Sequence, residues 1–366
     1  MTKNRILIAT GGTGGHIYPA IALAQQLKVE IPGCEILFIG GGLTTNRYFD
    51  QASFENHAVA CGALSSFSPK SLASSLFNIS KGIWQSQQII RAFKPNVAVG
   101  FGSYYAFPPL VAAKLLAVPF ILHEANSIPG KVNRLLSKWA EVTGVHFPET
   151  AHRLSGRTVE VGMPIRNGFK QNQISQAEAR AHFGLNPDRK TLLVFGGSQG
   201  ARAINFAVKD AIQSIDPSSL QILHIAGDAA MARELKESYA AGPVFAVVKA
   251  FEERMEIAWQ AADIVLSRSG ASTIAEQLEF EVPGILIPFP RAADNHQEHN
   301  ADFMVATVGG GVKIVEKGLS SQRLTACLHE FLKDDAALLQ AMSSAMQNYK
   351  KKARTKDLCS LVKEML

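Results

Sequence analysis

Short runs of aliphatic and β-branched residues alternate with longer stretches of helical pattern from one end of the chain to the other. That alternation predicts an α/β protein with parallel sheets. In the first half the expected strands are Ile6 to Ala9, Ile36 to Ile39, Val97 to Gly100, Phe120 to His123 and Val142 to Val145. In the second half they are Leu192 to Phe195, Ile222 to Ile225, Val244 to Val248, Ile264 to Leu266 and Ile285 to Ile287. Each half opens with a strand, a glycine-rich turn and a helix, so one architecture is used twice and no short-period repeat is present. Glycine and proline break the pattern at Gly162-Met163-Pro164-Ile165-Arg166, and the polar stretch Asn167 to Glu178 follows. The expected domains are therefore residues 1–163 and 164–366. The segment Ala336 to Leu366 is helical by composition, and its last helix can pack back on the first domain. Two doubly wound, Rossmann-like domains facing across a cleft place ligands at the carboxyl ends of their strands.

A length of 366 residues suits two domains, and 47% hydrophobic with 19% charged residues is ordinary for a globular protein. The net charge of +6 comes from scattered Lys and Arg, with Lys350-Lys351-Lys352 as one contiguous run. Such a run fits a solvated helix face better than a nucleic-acid patch. The four cysteines, Cys34, Cys61, Cys327 and Cys359, are far apart and lack C-x-x-C spacing, so reduced thiols are expected, with neither a disulfide framework nor a zinc site. The chain enters the strand Arg5-Ile6-Leu7-Ile8-Ala9 almost at once, without the pattern of a signal peptide. No apolar run approaches the roughly 20 residues of a membrane span. A cytoplasmic protein with at most peripheral membrane contact is expected.

The first turn reads Gly11-Gly12-Thr13-Gly14-Gly15-His16 between a strand and a helix. Glycines allow close backbone approach, and a helix N-terminus favours an anion. It is not the dinucleotide fingerprint, because Ile17 stands where a third glycine is needed and Ile39-Gly40-Gly41 offers no ribose-binding acid. No G-x-x-x-x-G-K-[ST] loop occurs either. The second turn, Gly196-Gly197-Ser198-Gln199-Gly200, is of the same kind, with Ser198 either capping the helix or facing a diphosphate. Ser267 to Glu276 again enters a helix, where Glu276 can take two ribose hydroxyls or simply answer the helix dipole. Beyond Pro288-Phe289-Pro290 lies the polar group Asp294-Asn295-His296-Gln297. His123-Glu124-Ala125-Asn126 ends an apolar strand, which directs its polar groups toward a ligand crevice. With no D-x-D pair to carry a metal, helix N-termini and arginines are left to neutralise a departing diphosphate.

Taken in order, Gly11 to His16, His123 to Asn126, Gly162 to Arg166, Gly196 to Gly200 and Arg268-Ser269-Gly270-Ala271 resemble the motifs of the MurG family, the bacterial GlcNAc transferases of peptidoglycan synthesis. The resemblance runs from Ile6 to the Gln297 region. It implies the GT-B fold and a metal-independent, cofactor-free, inverting transfer of GlcNAc from UDP-GlcNAc to the C4 hydroxyl of MurNAc in lipid I. It also implies donor-binding positions at Thr13, Gly14, Gly15, Asn126, Arg166, Ser198, Gln199, Phe251, Glu252, Ala271, Ser272, Thr273, Glu276 and Gln297. Uracil would be read near Phe251 and Glu252, ribose by Glu276, and sugar by Gln297. His16 is expected to be the catalytic base or to orient it, with Glu124 as its rival.

One segment departs from that pattern. Gly100-Phe101-Gly102-Ser103-Tyr104-Tyr105-Ala106-Phe107-Pro108 carries larger residues than the family usually has around Ser103 and before Pro108, in a region that faces the acceptor in the family. The resemblance further implies docking on the cytoplasmic face of the inner membrane. Leu72, Leu76, Phe77, Ile79, Ile83 and Trp84 would supply apolar groups, and Lys70 and Lys81 charge. Expected partners are UDP-GlcNAc, lipid I, the anionic membrane surface and cell-wall synthesis proteins, with no nucleic acid. The competing readings are another GT-B UDP-sugar transferase with a lipid or small-molecule acceptor, and a UDP-GlcNAc epimerase.

Overall fold

Alternate residues of the first strand, β1 (Arg5–Ala9), face opposite helical layers. Ile6 and Ile8 pack with Ile17, Leu23 and Leu27, while Leu7 and Ala9 pack with Ile90, Leu110 and Ala113. A strand buried on both faces must be apolar throughout, which is why these strands read as unbroken runs.

The structure is a computed structural model that describes residues 4–62, 69–165, 169–197, 200–333, 336–353 and 355–366. The chain divides into two units, Met1–Asn167 with Arg354–Leu366, and Gly168–Ala353. The first unit holds β1, β2 (Glu35–Gly40), β3 (Glu55–Ala58), β4 (Val97–Gly100), β5 (Phe120–Glu124), β6 (Val142–Val145) and β7 (Thr158–Glu160). They form one parallel sheet in the order β3-β2-β1-β4-β5-β6-β7. The second unit holds β8 (Thr191–Phe195), β9 (Gln221–Ile225), β10 (Ala246–Lys249), β11 (Ile264–Ser267), β12 (Gly284–Leu286) and β13 (Gly311–Lys313). Its parallel order is β10-β9-β8-β11-β12-β13. Each unit is thus a doubly wound α/β domain whose strand order reverses once, between β1 and β4 and between β8 and β11.

Three strands lie outside the expected set: β3, β7 and β13, each at the edge of its sheet. An edge strand needs no apolar run, and β3 reads Glu-Asn-His-Ala with little of it buried. β10 begins at Ala246, two residues later than its apolar run suggests. The first helix spans Gly14–Glu30, so Gly14 and Gly15 form its opening turn and are not part of the loop before it.

The C-terminal segment is shared between the units. Helix Ala337–Lys352 belongs to the second, where Leu339 joins the core. Helix Leu358–Lys363 belongs to the first, where Leu358, Cys359, Leu361 and Val362 join the layer around Ile6 and Ile8. The strand edge guides this return: Lys356 N–H donates to the Glu160 carbonyl (3.0 Å), and Gly162 N–H donates to the Lys356 carbonyl (3.0 Å). Each buried leucine contributes about 1.5–3 kcal/mol to holding the segment there.

Candidate functional site

In the first unit the loops that leave β1 and β4 flank the reversal of strand order, where a doubly wound sheet opens a crevice. Phe101 N–H donates to the Ala9 carbonyl (3.0 Å), and the His16 imidazole Nδ1 lies 2.8 Å from the Phe101 carbonyl. A carbonyl only accepts, so this contact places a proton on Nδ1 and leaves Nε2 as the basic nitrogen of the neutral ring. Thr10 Oγ1 donates to the His16 carbonyl at 3.1 Å, tying the opening turn of the helix to the end of β1. Thr13 begins that helix without a side-chain cap, and no acid occupies its first turn. Thr13 and Gly15 are exposed beside half-buried His16. Exposed amides at a helix start present partial positive charge.

The end of β5 lies on the same side of the sheet. Glu124 is buried, and both of its oxygens are engaged. Oε1 accepts the Asn126 N–H (2.9 Å), and Oε2 accepts the Gly130 N–H (3.0 Å) and the Asn133 side-chain amide (2.9 Å). Burial pushes this carboxyl above its usual range despite those donors. The arrangement is that of a loop anchor for residues 126–133. Half-buried Asn126 is fixed through its backbone, its carbonyl accepting from Thr150 Oγ1 at 3.0 Å. His123 is buried behind His16. Burial, with the charges of His146 and His16, lowers it to about 3, and burial lowers His146 to about 4. Both are therefore neutral at pH 7.

The second unit has its own crevice end. Gly197 and Gly200 have φ of +84° and +69°, values that favour glycine. A Cβ on Gly200 would also meet the Ala226 carbonyl at 2.8 Å, whereas among the described residues nothing lies within 4 Å of one built on Gly197. Ser198 and Gln199, like Arg166, lie outside the described residues. After β11, Gly270 caps helix Ala271–Phe280 without a side-chain bond, and no acid sits in its first turn. Ala271 is buried, and Ser272 and Thr273 are half-buried. One turn further on, the Glu276 carboxylate accepts the indole N–H of buried Trp259 at 2.9 Å.

Beyond β10, Phe251 is 57% exposed while Glu252 is buried, accepting the Arg254 N–H at 2.7 Å and paired with Lys249. Burial opposes ionisation of Glu252, but the Lys249 ammonium, the Arg254 N–H and the charge of His182 together hold the carboxyl below its usual range. Gln297 closes the loop after β12: its Oε1 accepts the Phe289 N–H (3.0 Å) and its carbonyl accepts from Ser269 Oγ (2.7 Å). Buried Arg268 donates to the carbonyls of Ile287 and Pro288 and pairs with Glu316, fixing the same loop from below.

Residues 6–145 match the glycosyltransferase family 28 N-terminal domain, and residues 191–358 match the family 28 C-terminal domain. The chain belongs to glycosyltransferase family 28. A relative from Protochlamydia amoebophila is 50% identical over 360 residues, covering 98% of this chain and 95% of its own. A relative from Desulforudis audaxviator is 37% identical, covering 93% of each. Both are named UDP-N-acetylglucosamine--N-acetylmuramyl-(pentapeptide) pyrophosphoryl-undecaprenol N-acetylglucosamine transferase. Among solved structures, the crystal structure of Acinetobacter baumannii MurG superposes with a TM-score of 0.76, at 24% identity and 99% coverage of each chain. The fold is accordingly GT-B.

Within this family-28 chain, the structure gathers the expected positions into two groups, each at the carboxyl ends of one sheet. Thr13, Gly14, Gly15, His16, Glu124 and Asn126 lie in the first unit; Phe251, Glu252, Ala271, Ser272, Thr273, Glu276 and Gln297 lie in the second. Sequence reasoning passed over Trp259 and Asn133 as shapers of these groups, and read Arg268 only as part of a motif. Trp259 and Asn133 carry no spacing signal, because each acts through contacts with residues distant in sequence. On helix Pro69–Phe93, Leu72, Leu76, Phe77 and Trp84 are exposed, but Ile79 is only half-exposed and Ile83 packs against the core. Ile83 is therefore removed from the apolar surface group. Among the described residues no helix is long and apolar enough to cross a membrane.

Proposed function

We infer that this chain transfers GlcNAc from UDP-GlcNAc to the muramyl sugar of undecaprenyl-pyrophosphoryl-MurNAc-pentapeptide, lipid I, giving lipid II and UDP. The observation that carries this reading is the 50% identity, over 98% of the chain, to a protein bearing that name.

His16 is the proposed base. The C4 hydroxyl of MurNAc attacks C1 of GlcNAc, its proton passes to His16 Nε2, and the C1–O bond to the diphosphate breaks with inversion. The electron pair leaves on UDP. The Phe101 carbonyl supports this role, since it fixes the tautomer whose lone pair is on Nε2. Glu124 suits the role poorly, because both its oxygens hold the loop. The charge growing on UDP is met by the open N-terminus of helix Ala271–Phe280 and the turn at Gly197. Glu276 receives ribose hydroxyls on a carboxylate that the Trp259 indole N–H orients. Uracil is read near Phe251 and Glu252, and the sugar near Gln297. Thr13, Gly14, Gly15, Asn126, Arg166, Ser198 and Gln199 complete the proposed binding set.

The enzyme is proposed to sit peripherally on the cytoplasmic face of the inner membrane. Exposed Leu72, Leu76, Phe77 and Trp84 on one helix support this. Serine at Phe77 and Trp84 should abolish binding to anionic vesicles, and unchanged binding would refute the contact.

The deciding experiment measures UDP release from UDP-GlcNAc with and without a lipid I analogue, in EDTA. Release that requires the acceptor and ignores the chelator is the expected result. Release without acceptor would point to the epimerase, and a requirement for metal would overturn the metal-free route.

A further inference from the structure

We propose that Tyr105 is a positioning residue, seated in a slot of four glycines, that holds the ring of Tyr104 as a flat platform for the acceptor's sugar. The proposal rests on the acceptor binding beside His16, as inferred above.

The slot is built from two separate turns. A Cβ on Gly11 would lie 2.7 Å from Tyr105 Cβ, and one on Gly12 would lie 3.0 Å from Cδ2 and Cε2. From the turn after β2, a Cβ on Gly41 would lie 2.4 Å from Tyr105 Cδ1, and one on Gly42 would lie 3.9 Å from Cε1. Side chains at Gly11, Gly12 or Gly41 would thus occupy the space the Tyr105 ring fills. The backbone joins in: Gly41 N–H donates to the Tyr105 carbonyl at 3.2 Å. Two of the glycines that look made for a ligand therefore serve a tyrosine of the chain itself.

The Tyr104 ring lies against that of Tyr105, with centroids 4.0 Å apart and planes 31° from parallel. Tyr105 is half-buried and Tyr104 is 40% exposed. An exposed ring ordinarily turns freely, and stacking on a wedged neighbour removes that freedom before any ligand arrives. Both tyrosines lie in the first turn of helix Ser103–Leu115, and entry to it is constrained through Gly102 and Ser103 at φ of +75° and +69°. Phe101, whose carbonyl holds His16, is three residues before Tyr104. An immobilised aromatic face on the segment whose Phe101 carbonyl holds the base suits the C–H face of a pyranose whose hydroxyl must reach Nε2.

The test compares Tyr105→Ala, Tyr105→Leu, Tyr105→Phe and Tyr104→Ala in the full chain, with steady-state kinetics in both substrates and calorimetric UDP binding. Tyr105→Ala and Tyr105→Leu should raise the KM for a soluble lipid I analogue by about fivefold to tenfold, leaving donor KM and UDP Kd within about twofold. Tyr105→Leu fills the slot without a stacking face, so it reports on the platform if the alanine variant fails to fold. Tyr105→Phe should restore most of the acceptor KM. Adding Tyr105→Leu to Tyr104→Ala should cost nothing further, since the platform is already gone. Equal effects on donor and acceptor KM, a loss in kcat alone, or multiplying effects in the double variant would overturn the proposal. A wild-type chain that releases UDP without acceptor would instead remove the reading of function on which it stands.

Discussion

The His16 imidazole and the Phe101 carbonyl meet at 2.8 Å across the reversal of strand order between β1 and β4. Two loops with no local relation in sequence thereby set the proton position on one ring. Substituting His16 with alanine should lower kcat by about 10²–10⁴-fold, the usual contribution of a positioned base. Donor KM should move little. Parallel assays of turnover and UDP binding check this, and near-normal turnover would remove His16 from the chemistry.

Glu124 supplies a contrasting case. An amide in its place presents one acceptor oxygen to donors that now use two. Glu124→Gln should therefore cost about 1–3 kcal/mol of stability and loosen residues 126–133. Activity should fall with stability while the acidic limb of the pH–rate profile stays in place. Loss of that limb in Glu124→Gln would instead make Glu124 the base.

Trp259 acts on the candidate site through one atom. Trp259→Phe keeps most of the apolar volume, including the stack on Phe280 (centroids 6.2 Å apart), but removes the N–H that holds Glu276. Donor KM should rise by about threefold to tenfold, the range of one ordinary net hydrogen bond, because the lost bond positions Glu276 and does not itself touch the donor. Acceptor KM should not change. Substrate titrations of purified variant and wild type would show it, and an unmoved donor KM would separate Glu276 from ribose binding.

Much of this was legible because strands covered on both faces leave continuous apolar runs, as at Ile6 to Ala9 and Leu192 to Phe195. Functional groups in such folds gather at the strand ends, so the polar residues after Phe120 to His123 and Ile264 to Leu266 stood out. Edge strands left no such trace: Glu55–Ala58 pairs on one side only and is largely exposed. Glycines misled in a more specific way. Gly11 and Gly12 make room for Tyr105, and Gly200 for the Ala226 carbonyl, yet each reads in sequence like a glycine that makes room for a ligand. Which neighbour fills the space above a glycine is a property of tertiary packing. The C-terminal segment was legible only as an open choice, its last helix free to pack back on the first domain, because both of its helices have apolar faces and only contact decides which core each one joins.

The buried histidines of the first unit make its stability depend on pH. His123 and His146 are lowered from 6.5 to about 3 and about 4, so both stay neutral in the folded chain while the unfolded chain protonates them below 6.5. The unfolded state then binds more protons, and stability falls as pH falls from 6.5 toward those lowered values. Each group costs about 1.4 kcal/mol per pH unit in that window, on the order of 2 kcal/mol per histidine by pH 5. Glu124 works in the opposite sense, since a carboxyl raised by burial favours the folded state as pH falls through its folded value. Its presence makes the difference between variants the useful quantity. His146→Phe keeps an aromatic ring beside Phe147 and removes one titrating group. Urea unfolding at pH 7.5 and pH 5 should show the variant losing less stability than wild type, by about one histidine's share. Equal losses in the two proteins would mean that His146 is hydrated and charged in the folded state.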